Sequence, residues 1–169
     1  MKPKTAIQII LAVALVFMSA SFAQASSATA TGSVSLTAEI APLAELTLGT
    51  GTVDFPNTTP TGNGTLTAAV TTAVTANVRT AGGATLVATA ATDLTSGSDT
   101  IDIANVSSTI DAGGGFFATG AQPMSKSGVT VGGGTSGNYT GTWTWKFTNQ
   151  WSYKTGNYSA TINYLLTAP

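Results

Sequence analysis

The sequence of 169 residues contains neither cysteine nor histidine. Without cysteine there are no disulfides, so the fold must be held by packing and backbone ladders alone. Without either residue there is no Ser-His-Asp triad, no Cys-His pair and no thiolate or imidazole ligand for zinc. Charge is also scarce, at 8% of residues. Disorder of the whole chain calls for low hydrophobicity combined with high net charge. Here 43% of residues are hydrophobic and the net charge is −1, which describes a chain with a core.

What is present begins with an export signal. Lys2 and Lys4 precede an apolar run from Ile7 to Phe17, and small residues follow, with Ala23 and Ala25 at small-x-small spacing. This predicts a signal peptide over 1–25, cut after Ala25. The apolar run is shorter than the roughly 20 residues a spanning helix needs. The predicted mature chain has a small-residue leader at 26–31 and a single domain at 32–169. It keeps four basic residues, Arg79, Lys126, Lys146 and Lys154, against seven acidic ones. That balance argues against nucleic acid, which calls for a basic patch. No transmembrane span is expected in the mature form. The expected location is extracellular, cell-surface or periplasmic.

Alternation of apolar and polar residues is the commonest pattern after residue 32. Val34, Leu36, Ala38 and Ile40 alternate with Ser33, Ser35, Thr37 and Glu39, which predicts a half-buried strand ended by Pro42. Leu46-Thr47-Leu48 and Val53 with Phe55 read as further short strands. Residues 66–78 keep one parity for 13 positions, long enough to predict a break near Thr71-Thr72. Strands are predicted at 85–90, at 101–106, and at Val129 with Val131 before Gly132-Gly133-Gly134. The last two carry Trp143, Trp145 and Phe147 on one face, and Tyr158, Ala160, Ile162, Tyr164 and Leu166 on another. No segment shows helical period. Short strands separated by Gly and Pro turns predict an all-β fold. The expected architecture is an Ig-like two-sheet sandwich of roughly seven to nine antiparallel strands.

Candidate chemistry is thin. Asp93, Asp99 and Asp102 lie close in sequence, as in an open calcium loop or as turn-capping carboxylates. The spacing is not that of an EF-hand, and the capping reading is preferred. No catalytic residue, metal site or cofactor is expected, and the protein reads as non-enzymatic. Aromatics are the informative group. Eight of the eleven in the mature chain follow residue 138. Trp143, Trp145 and Phe147 read as core. Trp151 and Tyr153, in the segment joining the last two strands, are candidate ligand or partner contacts, as are Phe116 and Phe117 in a glycine-flanked loop.

Two family resemblances follow from particular residues. The segment Tyr158-Ser159-Ala160-Thr161-Ile162-Asn163-Tyr164-Leu165-Leu166-Thr167-Ala168-Pro169 resembles the closing motif of WxL-domain bacterial surface proteins. Tyr158, Tyr164, Leu166 and Pro169 stand at its marked positions, with Tyr164 where that family usually has Trp. Leu86 fits the upstream Trp-x-Leu, with Ala84 in place of the Trp. This resemblance implies an Ig-like sandwich attached to the cell envelope. The alternating last strand, with Gly156 about fourteen residues from the end, is similar to fimbrial subunits of chaperone–usher systems, although their cysteine pair and penultimate aromatic are absent. That likeness implies self-assembly, with Val34, Leu36, Ala38 and Ile40 as a strand donated to a neighbour's sheet edge. Two functions are therefore expected. One is a non-catalytic surface module that binds cell-envelope glycan or a surface protein. The alternative is a structural subunit of a surface fibre or pilus. A binding module keeps its first strand in its own sheet; a fibre subunit has an incomplete sheet and a free leader.

Overall fold

The computed structural model describes residues 33–56, 64–112 and 115–169. The expected signal peptide at 1–25 and leader at 26–31 lie outside the described residues. Ile40–Pro169 forms one compact unit. Among the described residues it holds eleven strands, a single 3-10 turn and no α-helix.

The strands are β1 Leu43–Leu48, β2 Gly64–Thr67, β3 Thr72–Arg79, β4 Ala84–Ala90, β5 Leu94–Ser96, β6 Asp99–Ile101, β7 Val106–Ala112, β8 Gln122–Pro123, β9 Val129–Gly134, β10 Gly137–Asn149 and β11 Ile162–Thr167. The larger sheet runs β1-β3-β10-β7-β8, with β2 also paired to β10. The smaller sheet runs β11-β4-β9, and β5 and β6 form a separate hairpin. Every pairing between strands is antiparallel.

Period-two patterning is what makes the two sheets face each other. On β3, Thr72, Val74, Ala76 and Val78 are buried and the residues between them are not. On β4, Ala84, Leu86, Ala88 and Ala90 are buried in the same way. Trp143 and Trp145 of β10 fill the space between the layers. Each such large side chain taken out of water contributes about 1.5–3 kcal/mol. Trp145 keeps its one donor satisfied, because its Nε1 donates to Thr72 Oγ1 at 3.1 Å.

The all-β sandwich expected from the sequence is what the protein adopts. The excess over seven to nine strands comes from short pieces, the two-residue β8 and the three-residue β5 and β6. The long single-parity run at 66–78 does break, at 68–71, into β2 and β3. Both pieces lie against β10, β2 at Lys146–Asn149 and β3 at Gly137–Trp143.

Other expectations need correction. Residues 33–42 lie in no strand, and pairing starts only after Pro42, at Leu43. Alternation there specifies which side chains share a face but supplies no neighbouring strand. Val53 and Phe55 are also outside any strand, although Phe55 packs on Phe147 with ring centroids 5.7 Å apart. The strand expected at 101–106 is interrupted by a 3-10 turn at Ile103–Asn105, because the Asp102 side chain accepts from the Ala104 N–H and caps it. The three glycines 132–134 are the last three residues of β9 rather than lying beyond it.

Candidate functional site

The four aromatic contact candidates separate into two kinds. Phe116 and Phe117 are not an exposed tip: they are 2% and 3% exposed and belong to the core. Gly115, at φ 69°, turns the chain inward just before them. The segment then adds to the outer edge of β9. The Gly133 N–H donates to the Phe116 carbonyl at 2.7 Å, and the Ala118 N–H donates to the Val131 carbonyl at 2.9 Å. Phe116 stacks on Tyr139, with centroids 4.7 Å apart, and meets Phe117 edge-on at 5.2 Å. Phe117 in turn meets Trp143 edge-on at 6.2 Å. The glycines of β9 make room for this. A Cβ on Gly132 would come within 2.9 Å of the Phe116 ring, and one on Gly134 within 3.2 Å. Phe116 and Phe117 are therefore a buried plug, and the receiving surface is Gly132 and Gly134 of β9.

Trp151 and Tyr153 sit where expected, between β10 and β11. Trp151 is 67% exposed. Tyr153 is half-buried, its ring stacked on Phe147 at 6.1 Å and its N–H donating to the Gln150 carbonyl. Burial, with a smaller contribution from the charge of Asp102, raises the pKa of its hydroxyl. The four candidates do not converge. Phe116 and Phe117 meet the Tyr139–Trp143 part of β10, and Tyr153 meets its Phe147 end. Only Trp151 presents a large exposed aromatic surface.

The three carboxylates are each engaged separately. Asp93 is 2.6 Å from the Lys126 ammonium and also accepts from the Ile103 N–H. The hydrogen bond from Lys126 is the main reason its carboxyl lies below the usual range. Asp99 pairs with Lys154 at 2.6 Å, and Asp102 caps the 3-10 turn. Among the described residues no group of three His, Cys, Asp or Glu could hold a metal ion. The turn-capping reading fits Asp102, and ion pairing accounts for the other two.

The motif-like residues lie along and beside β11. Tyr164 stacks on Trp143 with centroids 5.0 Å apart and planes at 17°. Tyr158 donates its hydroxyl to the Lys154 carbonyl. Leu166 is half-buried against the core. The Pro169 carbonyl accepts from Thr80 Oγ1 at 2.8 Å and from the Ala81 N–H.

The surface that sequence reasoning missed lies between these residues and β1. A groove of about 450 Å³ opens there, lined among others by Leu48, Val53, Phe55, Ile103, Trp145 and Tyr164. Its walls come from segments more than 100 positions apart, so no local pattern announces it. The remaining candidates, Val34, Leu36 and Ile40, are 85%, 90% and 72% exposed, and Ala38 is exposed as well. They form an alternating apolar row that is not buried. Comparison with protein-family models and with curated proteins finds no match to this chain.

Proposed function

We propose that the protein is a non-catalytic, exported structural subunit that assembles with copies of itself at the cell surface by strand donation. The observation that carries this reading is the exposed row Val34-Leu36-Ala38-Ile40 in a segment belonging to no strand. A soluble monomer gains nothing from four alternating apolar side chains held in water. Each becomes favourable only when covered, and an added strand covers every second side chain while its backbone pairs with a sheet edge. The other mark of such a subunit, a sheet with an unfilled edge, is supported by the groove beside β11.

The second reading, a surface module binding cell-envelope glycan or a protein partner, rests on Trp151. A large exposed aromatic between two strands can stack on a sugar ring or fill a partner's pocket. It has lost Phe116 and Phe117 as co-workers, which is why it comes second.

The test is the native envelope fraction run on a gel with and without boiling and probed for this protein. Subunits joined by strand exchange give a ladder of multiples that boiling collapses, and deleting residues 32–40 leaves folded protein without the ladder. A monomer band in both lanes overturns the fibre reading. Loss of glycan or surface binding in Trp151→Ala would then establish the second.

A further inference from the structure

Two connections that belong to neither stacked sheet form a surface of their own. The β5–β6 hairpin is joined to the segment between β10 and β11 by a pair of backbone bonds. The Thr95 N–H donates to the Ser159 carbonyl at 3.0 Å, and the Ser159 N–H donates to the Thr95 carbonyl at 3.1 Å. Lys154 of that segment pairs with Asp99 of the hairpin at 2.6 Å, and the Tyr158 hydroxyl donates to the Lys154 carbonyl at 3.2 Å. A Cβ on Gly156 would fall 2.5 Å from Ser96 Oγ, so segment and hairpin touch closely. Trp151 and Tyr153 stand on this clamped segment.

Charge is concentrated at the same place. Of the eleven charged residues in the described chain, five are gathered here: Asp93 with Lys126, Asp99 with Lys154, and Asp102. The three carboxylates are not equivalent. Asp93 spends one oxygen on Lys126 and the other on the Ile103 N–H. Asp99 is neutralised by Lys154. Asp102 is exposed and holds no cation. Its Oδ1 accepts from the Ala104 N–H at 2.9 Å, and its Oδ2 has no partner among the described residues. The Tyr153 hydroxyl has none there either. Asp102 is nevertheless near enough that its charge, after burial, contributes to raising the pKa of that hydroxyl. An exposed indole therefore stands two positions from a phenol whose hydroxyl faces a carboxylate with a free oxygen.

Deepening the second reading above, which rests on Trp151, we infer that this surface binds a neutral oligosaccharide, one pyranose ring lying on the Trp151 indole and its hydroxyls shared between Asp102 and Tyr153. The C–H bonds on one face of a pyranose are weakly positive and meet the negative face of an indole. Vicinal hydroxyls donate to a carboxylate, and a hydrogen bond to an ionised acceptor is about twice as strong as a neutral one. The phenol hydroxyl both donates and accepts, as a sugar hydroxyl does. Charge selects against acidic sugars. Both ammonium groups are already paired, and the charge left over, on Asp102, repels a uronate or a sulfate. The clamps hold the site in one geometry before a ligand arrives, which lowers the ordering cost of binding. Neither edge of the stacked sheets takes part, so single and assembled copies carry the site alike, and a fibre repeats it with every subunit.

The tryptophans supply the test. Trp143 and Trp145 are 2% and 6% exposed, so acrylamide quenching of tryptophan fluorescence in the whole protein reports Trp151. The protein is titrated with chitotriose in its N-acetylated form, the sugar type of a bacterial wall, with mannotriose, a hexose of other surface glycans, and with a heparin oligosaccharide as the acidic control. Protection of Trp151 by at least one neutral probe and none by heparin is expected, and the neutral probe that protects names the source. Asp102→Asn should weaken that binding about tenfold. Its unfolding midpoint should barely move, because asparagine still accepts from the Ala104 N–H and caps the turn. Undiminished binding in Asp102→Asn overturns the site and leaves the Trp151 reading standing. Protection by heparin alone overturns the neutral class. Absence of protection by every probe overturns the inference, and the Trp151 reading falls with it only if Trp151→Ala also leaves binding to the cell surface unchanged.

Discussion

Both lateral sides of this sandwich present apolar side chains inward, and they differ in how far those side chains are buried. On the side of β7, β8 and β9, a short segment with two adjacent phenylalanines runs across the edge, and the residues beneath it are nearly inaccessible to water. On the side of β1 and β11, Leu46, Leu48, Ile162, Tyr164 and Leu166 face inward but are covered only in part. The first side carries both β8 and the segment with the two phenylalanines beyond its edge strands. Natural sheets usually blunt an edge with charge, proline or a bulge. Neither row of inward side chains on β1 or β11 carries a charge. The open side therefore has the chemistry of a core without the burial of one.

Paired truncations break this comparison most directly. Phe117→Ala removes a ring packed against Phe116 and Trp143 in a closed space, and a loss of about 3–5 kcal/mol is expected in denaturant unfolding. Leu48→Ala, on the open side, is expected to cost well under half of that, because its side chain is already 37% exposed. Equal losses at the two positions would show that the two sides are equally buried in solution, and the contrast would disappear. A smaller effect is expected from Gly132→Ala. The new methyl meets the Phe116 ring at 2.9 Å and the Phe116 carbonyl at 3.3 Å. Overpacking of this kind costs about 1–3 kcal/mol. Combining Gly132→Ala with Phe116→Leu should recover part of that loss if the ring is what the methyl strikes.

The contrast also shows which parts of the molecule could be read from the sequence. Strands β3, β4, β10 and β11 were legible because the two faces of each differ in burial and period two follows from that, although β11 starts only at Ile162 and leaves Tyr158 and Ala160 outside it. The core roles of Trp143 and Trp145 followed from the same parity. The plug was not legible. The glycines before Phe116-Phe117 suit an exposed loop tip, and the surface that receives the Phe116 ring, Gly132 and Gly134, lies about sixteen positions further on. Nothing local to Phe116-Phe117 indicates that Gly132 and Gly134 lie against that ring. The alternation at 34–40 was visible, yet sidedness is not pairing, and nothing local says whether a partner strand exists. Asp93 and Asp99 were read as turn carboxylates, while their partners, Lys126 and Lys154, lie 33 and 55 positions away. The groove at the open side was invisible for the same reason, since its walls meet only after the sheets have stacked.

Tyr164 offers the finest probe of the boundary between the two sides. It stands on the open edge strand, yet its ring stacks on the buried Trp143. Burial pushes its hydroxyl well above the ordinary value of 10.0, because the phenolate is the form that desolvation penalises. The native state thus holds this proton at pH values where the unfolded chain has released it. Stability from this residue is complete below about pH 10 and falls as pH rises beyond it. Denaturant midpoints measured from neutral pH into the alkaline range should show that decline, and Tyr164→Phe, with no hydroxyl to ionise, should lessen it. An unchanged decline would mean that solvent reaches the Tyr164 hydroxyl, and that the open side extends inward as far as Trp143.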